Sequence, residues 1–257
     1  MRLVLRPEER RDHRAVEVLT RDAFWGTSGP RCDEHLLVRR LRSAPSFVRE
    51  LDVVAEEDGE LVGHVVYSRA WVQGPRARHE VLTFGPLSVL PSHQGQGVGS
   101  ALMRHTLARA ARLGHRAVVV YGHPDYYPRF GFVRAASVGI TAPGGATFDA
   151  LMALALTAGG LDGVHGEFHE DPVFRLDPSE VAAFDATFPA RADAPAQPLA
   201  GLAGQVPDRL LVALRARGID DLRGLRRFSR AELSAWPGVG SDGADLLRDL
   251  VLTPRAR

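Results

Sequence analysis

The chain has no lysine; all 32 of its basic residues are arginine. That absence removes the lysine of a phosphate-binding P-loop and leaves guanidinium groups, which favour bidentate oxyanion contacts, as the only basic chains besides histidine. Biased codon usage in a GC-rich genome accounts for so uniform a choice. A single cysteine, Cys32, excludes an internal disulfide and fits a reducing compartment. No apolar run approaches the length needed to cross a bilayer. The opening Met1-Arg2-Leu3-Val4-Leu5-Arg6 lacks the apolar core of a signal peptide, so a cytoplasmic protein with no membrane partner is expected. A formal net charge of +1 offers no general attraction for nucleic acid.

What is present is ordinary soluble composition, 45% hydrophobic and 25% charged, over 257 residues. That length suits one large domain or a medium domain with a small companion. Leu3 to Leu5 starts a strand, Pro7 to Phe24 reads as a helix, and Asp33 to Leu41 as a second. Leu51 to Ala55 and Leu61 to Ala70 flank Asp58-Gly59, a strong hairpin signal. Val81 to Leu90 is the next strand. Val98 to Leu113 carries Val98, Leu102, Leu107 and Ala110 at helical spacing. Ala117 to Val120 suits a central strand, and Phe148 to Leu156 and Val164 to Phe168 read as closing strands. The pattern predicts an α/β domain with one mixed sheet.

Between the Val81 strand and the Val98 helix stands Gln94-Gly95-Gln96-Gly97-Val98-Gly99. Its glycines permit tight backbone geometry and close ligand approach. Free amides at the helix start favour an anion such as a diphosphate. The run is not a dinucleotide fingerprint, because the full glycine spacing and a clear βαβ unit are missing.

These residues resemble the GCN5-related N-acetyltransferase (GNAT) superfamily, and within it the YhbS-like proteins. Gln94, Gly97 and Gly99 match its Gln/Arg-x-x-Gly-x-Gly/Ala pattern. Tyr127-Pro128-Arg129-Phe130-Gly131-Phe132 matches its Tyr-x-x-x-Gly-Phe feature, and Leu87-Ser88-Val89 resembles its splayed strand. The likeness covers about residues 1 to 170. It implies a GNAT fold, a mostly antiparallel central sheet flanked by helices, and an N-acetyltransferase that moves an acetyl group from acetyl-CoA to a primary amine by direct attack. It implies that the loop from Gln94 to Ser100, through Gly95, Gln96, Gly97, Val98 and Gly99, binds coenzyme A. Leu87 and Val89 would meet its pantetheine arm, and Tyr127 would act as general acid.

The general base is less defined. Glu80 lies at the start of the strand leading to the loop, where some family members place a carboxylate; His79 beside it faces the other way, and proton loss through water needs no base at all. His165, Glu167 and His169 alternate along one strand, yet acetyl transfer from a thioester needs no metal, and none is expected. Cys32 has no feature of a thiol nucleophile.

After Phe174 the texture changes. Asp177-Pro178-Ser179-Glu180 caps a short helix, and Ala190 to Gly204 reads as a linker. From Pro207 the chain is helical. Leu233-Ser234-Ala235-Trp236-Pro237-Gly238-Val239-Gly240 resembles a helix-hairpin-helix, and the wider segment resembles the carboxy-terminal domain of the bacterial RNA polymerase α subunit. Arg209 matches that domain's DNA-contacting arginine, but Val212 and Asp242 replace its asparagine and lysine. Arg223, Arg226, Arg227 and Arg230 form a basic cluster. The expected organisation is therefore an acetyltransferase domain at 1–174, a short helix and linker at 175–206, and a small all-α helix-hairpin-helix-like domain at 207–257. That last domain would serve a macromolecular partner, DNA or protein, or act as a passive cap. A coenzyme A-binding regulator without catalysis is the alternative reading.

Overall fold

The computed structural model describes residues 3–27, 31–192, 198–202, 206–228 and 230–252. Its strands are β1 (Leu3–Pro7), β2 (Val53–Glu57), β3 (Glu60–Gln73), β4 (Arg78–Val89), β5 (Ala117–Tyr121), β6 (Val133–Arg134), β7 (Ile140–Thr141), β8 (Leu151–Ala155) and β9 (Gly166–His169). Its α-helices are α1 (His13–Phe24), α2 (Glu34–Leu41), α3 (Val98–Arg112), α4 (Pro178–Asp185), α5 (Asp208–Arg215), α6 (Arg230–Ser234) and α7 (Gly240–Leu252).

One sheet organises residues 3–169, in the order β1-β2-β3-β4-β5-β8-β6, with β9 pairing with the far half of β3 and with β7. Asp58 and Gly59 are both left-handed, as the β2–β3 hairpin requires. From β1 to β4 every pairing is antiparallel. β4 and β5 are parallel and share one register pair, Leu82 with Val118. β4 then runs on to Val89 against β3 and β5 to Tyr121 against β8, without further pairing to each other, so the two strands part and leave a gap.

Strand alternation divides the core. Val65, Tyr67, Leu82 and Phe84 pack beneath Val98, Leu102, Met103 and Leu107 of α3, and Tyr67 Oη lies 2.9 Å from Thr106 Oγ1. On the other face Val66 meets Val16, Val38 and Leu41 of α1 and α2, while Ala70, Val72 and Val81 meet Ile140 and Phe168. Helix α1 begins later than expected. Asp12 accepts from Glu9 N at 2.9 Å and from Arg6 at 2.6 Å, which holds Arg10–Asp12 in a tighter 3-10 turn. The closing strands are also shorter than expected, and β6 and β7 are two-residue strands that the sequence reading passed over.

The segment after residue 174 differs most from expectation. Asp177 caps α4 as predicted, accepting from Ser179 N at 2.7 Å. Yet α4 and the turn beyond it dock on α1 and α2. Arg21 donates to both oxygens of Asp185, at 2.6 and 3.2 Å, and its guanidinium sits 4.3 Å from the Trp25 ring centroid. His35, fully buried, stacks on Phe184, with Nε2 3.3 Å from Asp185. Arg14 covers Phe188 at 3.5 Å, and Arg40 pairs with Glu180 at 2.7 Å. Trp25 Nε1 donates to Ala192 O at 3.1 Å. A boundary at 174 would strip these partners from the first two helices, whose packing runs on to about residue 192. Residues 193–197 and 203–205 of the expected linker lie outside the described residues.

Helices α5 to α7 pack around their own apolar cluster of Leu210, Leu214, Ile219, Leu233, Val239, Ala244 and Leu247. They touch the sheet region where Asp149 N donates to Glu232 Oε1 at 3.3 Å. The side chains of Arg223, Arg226, Arg227 and Arg230 lie outside those described. Among the described residues no helix is long and apolar enough to cross a membrane.

Asp185→Ala removes the partner of a guanidinium only 7% exposed. Breaking such a pair while leaving the other charge buried costs about 3 kcal/mol. The urea midpoint of the full chain should fall accordingly, and an unchanged midpoint would return α4 to the status of a tether.

Candidate functional site

Where β4 ends, side chains hold the following loop. Gln94 Nε2 donates to Val89 O at 3.1 Å, and Gln96 Nε2 to Ser92 O at 2.7 Å. Gly95 and Gly97 sit at φ 75° and 90°, and Gly97 forms the cap of α3. The first helical bond runs from Ala101 N to Gly97 O, 2.9 Å, which leaves the amides of Val98, Gly99 and Ser100 without a helical acceptor. No side chain caps them and no acid stands in the first turn. Amides without helical partners at the positive end of a fifteen-residue helix make an anion cradle.

The cradle adjoins the β4–β5 gap. Leu87 and Val89 are half-buried and lean on the core under α3, while Ser88 between them faces α1, its Oγ 3.0 Å from Thr20 Oγ1. A Cβ at Gly99 would stand 2.8 Å from Tyr126 Oη and 3.5 Å from Val89. Tyr126 therefore bridges the cradle to the short turn Tyr127–Phe130.

Tyr127 is the best-packed member of the group. Its ring meets Phe84, Phe132 and Tyr126 at centroid distances of 5.1 to 5.5 Å. It is 8% exposed, and burial, with Tyr126 and Tyr67 nearby, pushes its phenol pKa up. The hydroxyl thus stays protonated at neutral pH. Gly122, just past β5, makes room for it; a Cβ there would fall 2.1 Å from Tyr127 Cε2. Gly122 and Tyr126 were not singled out in the sequence. The one available signal was their position in the loop between a central strand and the aromatic turn.

The structure does not bring Glu80 to this group. It stands nine residues before Val89, roughly 30 Å from the cradle end of β4 at about 3.3 Å per residue, and five before Gly85 at the gap, roughly 16 Å. Its side chain is 63% exposed and 3.9 Å from Arg69. His165 is exposed, Glu167 accepts from Gly144 N at 3.1 Å and has its other oxygen 3.8 Å from His169 Nε2, and His169 stacks on Trp71; only Glu167 and His169 of the three are paired with each other. Cys32 is buried, and desolvation pushes its thiol pKa well up, which opposes thiolate chemistry. Glu8, Asp52 and His64 converge beneath α1 within 4.8 Å of one another. Arg42 donates to both Glu8 oxygens there, so a guanidinium already supplies the positive charge.

A mixed sheet with one parted parallel pair, an amide cradle at the parting and a protonated phenol beside it defines an acyltransferase of the coenzyme A-dependent type. The acetyltransferase (GNAT) family model matches residues 15–132. The uncharacterized N-acetyltransferase YhbS of Escherichia coli K12 is 30% identical over 170 residues, covering 65% of this chain and 97% of YhbS. The uncharacterized N-acetyltransferase YjhQ of the same organism is 36% identical over 96 residues, 37% of this chain; the chain spans about half of YjhQ, 53%. The crystal structure of Escherichia coli YhbS in complex with CoA superposes with a TM-score of 0.60 at 29% identity, over 69% of this chain and 94% of that one. A GNAT acetyltransferase from Brucella melitensis in complex with acetyl-CoA gives 0.56 at 29% identity, over 68% and 99%. The chain belongs to the GNAT family of acetyltransferases.

The contact between Gly122 and Tyr127 predicts that Gly122→Ala is destabilising. Overpacking of this kind costs about 1–3 kcal/mol. Urea unfolding should show the loss, and wild-type stability would mean that the aromatic turn is free to shift.

Proposed function

We propose that residues 1–192 form an acetyl-CoA-dependent N-acetyltransferase acting on a primary amine by direct attack. The observation that carries this reading is the uncapped, acid-free start of α3 opening beside the parted strands β4 and β5. The CoA and acetyl-CoA present in the two related crystal structures add support.

In this reading the amides from Gln96 to Ser100, with Gln94 and Gly95 shaping the loop, hold the diphosphate. The backbone of Leu87 and Val89 meets the pantetheine arm. The acceptor nitrogen attacks the acetyl carbonyl in the gap, the carbon–sulfur bond breaks, and Tyr127 gives its proton to the thiolate. Burial that keeps the phenol protonated supports this role. Glu80, 63% exposed and 3.9 Å from Arg69, is given no role in this reading.

For residues 207–252 the finer reading is a helix-hairpin-helix that meets a macromolecule. Left-handed Gly238 and Gly240 around buried Val239, between α6 and α7, support the hairpin. Exposed Asp242 at the start of α7 argues against phosphate there, and a protein partner fits better than DNA.

Gly97→Val places a β-branched residue at φ 90° at the cradle. Calorimetry with acetyl-CoA should show at least tenfold weaker binding, about 1.4 kcal/mol; equal affinity in a folded variant would remove the cradle from the account. Tyr127→Phe should keep acetyl-CoA affinity and slow the single-turnover rate by roughly 10²- to 10⁴-fold. An unchanged rate would give the thiolate's proton to water or another group.

A further inference from the structure

At the open end of β5, on the face away from α3, aromatic rings gather beside a carboxylate without a partner. Tyr121 stacks on Phe148 with centroids 5.7 Å apart and planes 20° from parallel, and lies 5.5 Å from Phe168. Phe168 is buried, but Tyr121 and Phe148 are 37% and 42% exposed, a large apolar surface to leave in water. Glu170 follows β9 directly and lies near enough to Tyr121 to help raise its phenol pKa. Among the described residues Glu170 forms no hydrogen bond or ion pair. Burial alone pushes its carboxyl pKa up to about 7.

Two further groups on this face lack partners. Ser68 and Thr83 are cross-strand neighbours, almost wholly buried, and neither hydroxyl makes a hydrogen bond. Alternation sets them on the side of Ala70, Val81 and Phe168. The face also opens onto the β4–β5 gap. Tyr121 stands three residues past Val118 and Gly85 three past Leu82, where the strands have parted, and a Cβ at Gly85 would meet nothing within 4 Å. Gly122, against Tyr127, comes next after Tyr121. An aromatic wall with a lone carboxylate suits an organic cation, held by ring faces and by charge.

We propose that Tyr121, Phe148, Phe168 and Glu170 form the acceptor subsite, that it takes a protonated amine carried on an apolar or aromatic body, and that Glu170 receives the proton which this ammonium loses before attack. The proposal rests on the acetyltransferase reading. The ammonium gives one proton to Glu170, and the free amine forms the carbon–nitrogen bond as the carbon–sulfur bond breaks. Tyr127 protonates the thiolate and regains a proton from the new amide nitrogen. Glu170 then releases its proton to solvent, so one proton leaves per acetyl group transferred.

The test titrates 2-phenylethylamine calorimetrically into the full chain saturated with CoA, with 2-phenylethanol as the uncharged control. Saturable binding of the amine, at least tenfold weaker in Glu170→Gln and in Tyr121→Leu and at least tenfold weaker for the alcohol, is expected, with CoA affinity within twofold in both variants. With acetyl-CoA, the kcat/KM for thiol release should rise through pH 7 in the wild type; in Glu170→Gln it should follow the amine's own titration. No saturable amine binding, or equal affinity in Glu170→Gln, overturns the subsite. A chain that binds no CoA contradicts the acetyltransferase reading instead, and the amine titration on the free protein still judges the subsite by the same two results.

Discussion

Leu82 opposite Val118 is the one register pair that holds β4 beside β5, and the chemistry is arranged around the point where that pairing stops. Continued pairing would satisfy the backbone groups of both strand ends and close the sheet. Because the strands part, β4 can deliver Leu87 and Val89 to the start of α3 while β5 delivers Gly122 to the aromatic turn. The cradle amides and the Tyr127 phenol therefore lie at two rims of one opening. In the proposed reading the two act together: the cradle alone would hold an anion, and the phenol alone would only pack.

The core is built to hold that opening. Tyr67 packs against Phe84, its hydroxyl fixed to Thr106 of α3, and Phe84 packs against Tyr127. The chain of rings ties together the sheet, helix α3 and the aromatic turn. On the opposite face α1 and α2 are tied down by α4 through Arg21, His35 and Asp185. That docking steadies α1, whose Thr20 touches Ser88 of the splayed strand. A segment 164 residues further along the chain thus supports the site indirectly.

Much of this was legible in the sequence because it is local. The Asp58-Gly59 turn, the apolar stripe of α3, the Asp177 cap and the glycine loop each declare themselves within a few residues. The GNAT resemblance rested on such segments. What was not legible depends on three dimensions. Glu80 is only nine residues from Val89, but an extended strand turns that interval into roughly 30 Å, about twice what a helix would span. Two-residue strands such as β6 carry no periodicity at all. The docking of α4 pairs an arginine and an aspartate with no shared motif, so the Asp-Pro-Ser-Glu segment read only as the cap of a short helix ahead of a linker. Tyr121 ends a strand while Phe148 and Glu170 lie in two separate connections, and only the folded sheet sets them side by side.

The measurement that bears most directly on the central claim is amide hydrogen exchange with and without acetyl-CoA. The amides at the start of α3 lack helical partners, and those of β4 that face away from β3 lack a strand partner beyond Leu82; such amides exchange quickly, and a bound diphosphate or pantetheine arm would occupy them. The account predicts slowed exchange at Gln96–Ser100 and at Leu87–Val89 on adding acetyl-CoA, with α5 and α7 unaffected. Unchanged exchange in those two segments, or protection centred elsewhere, would contradict it.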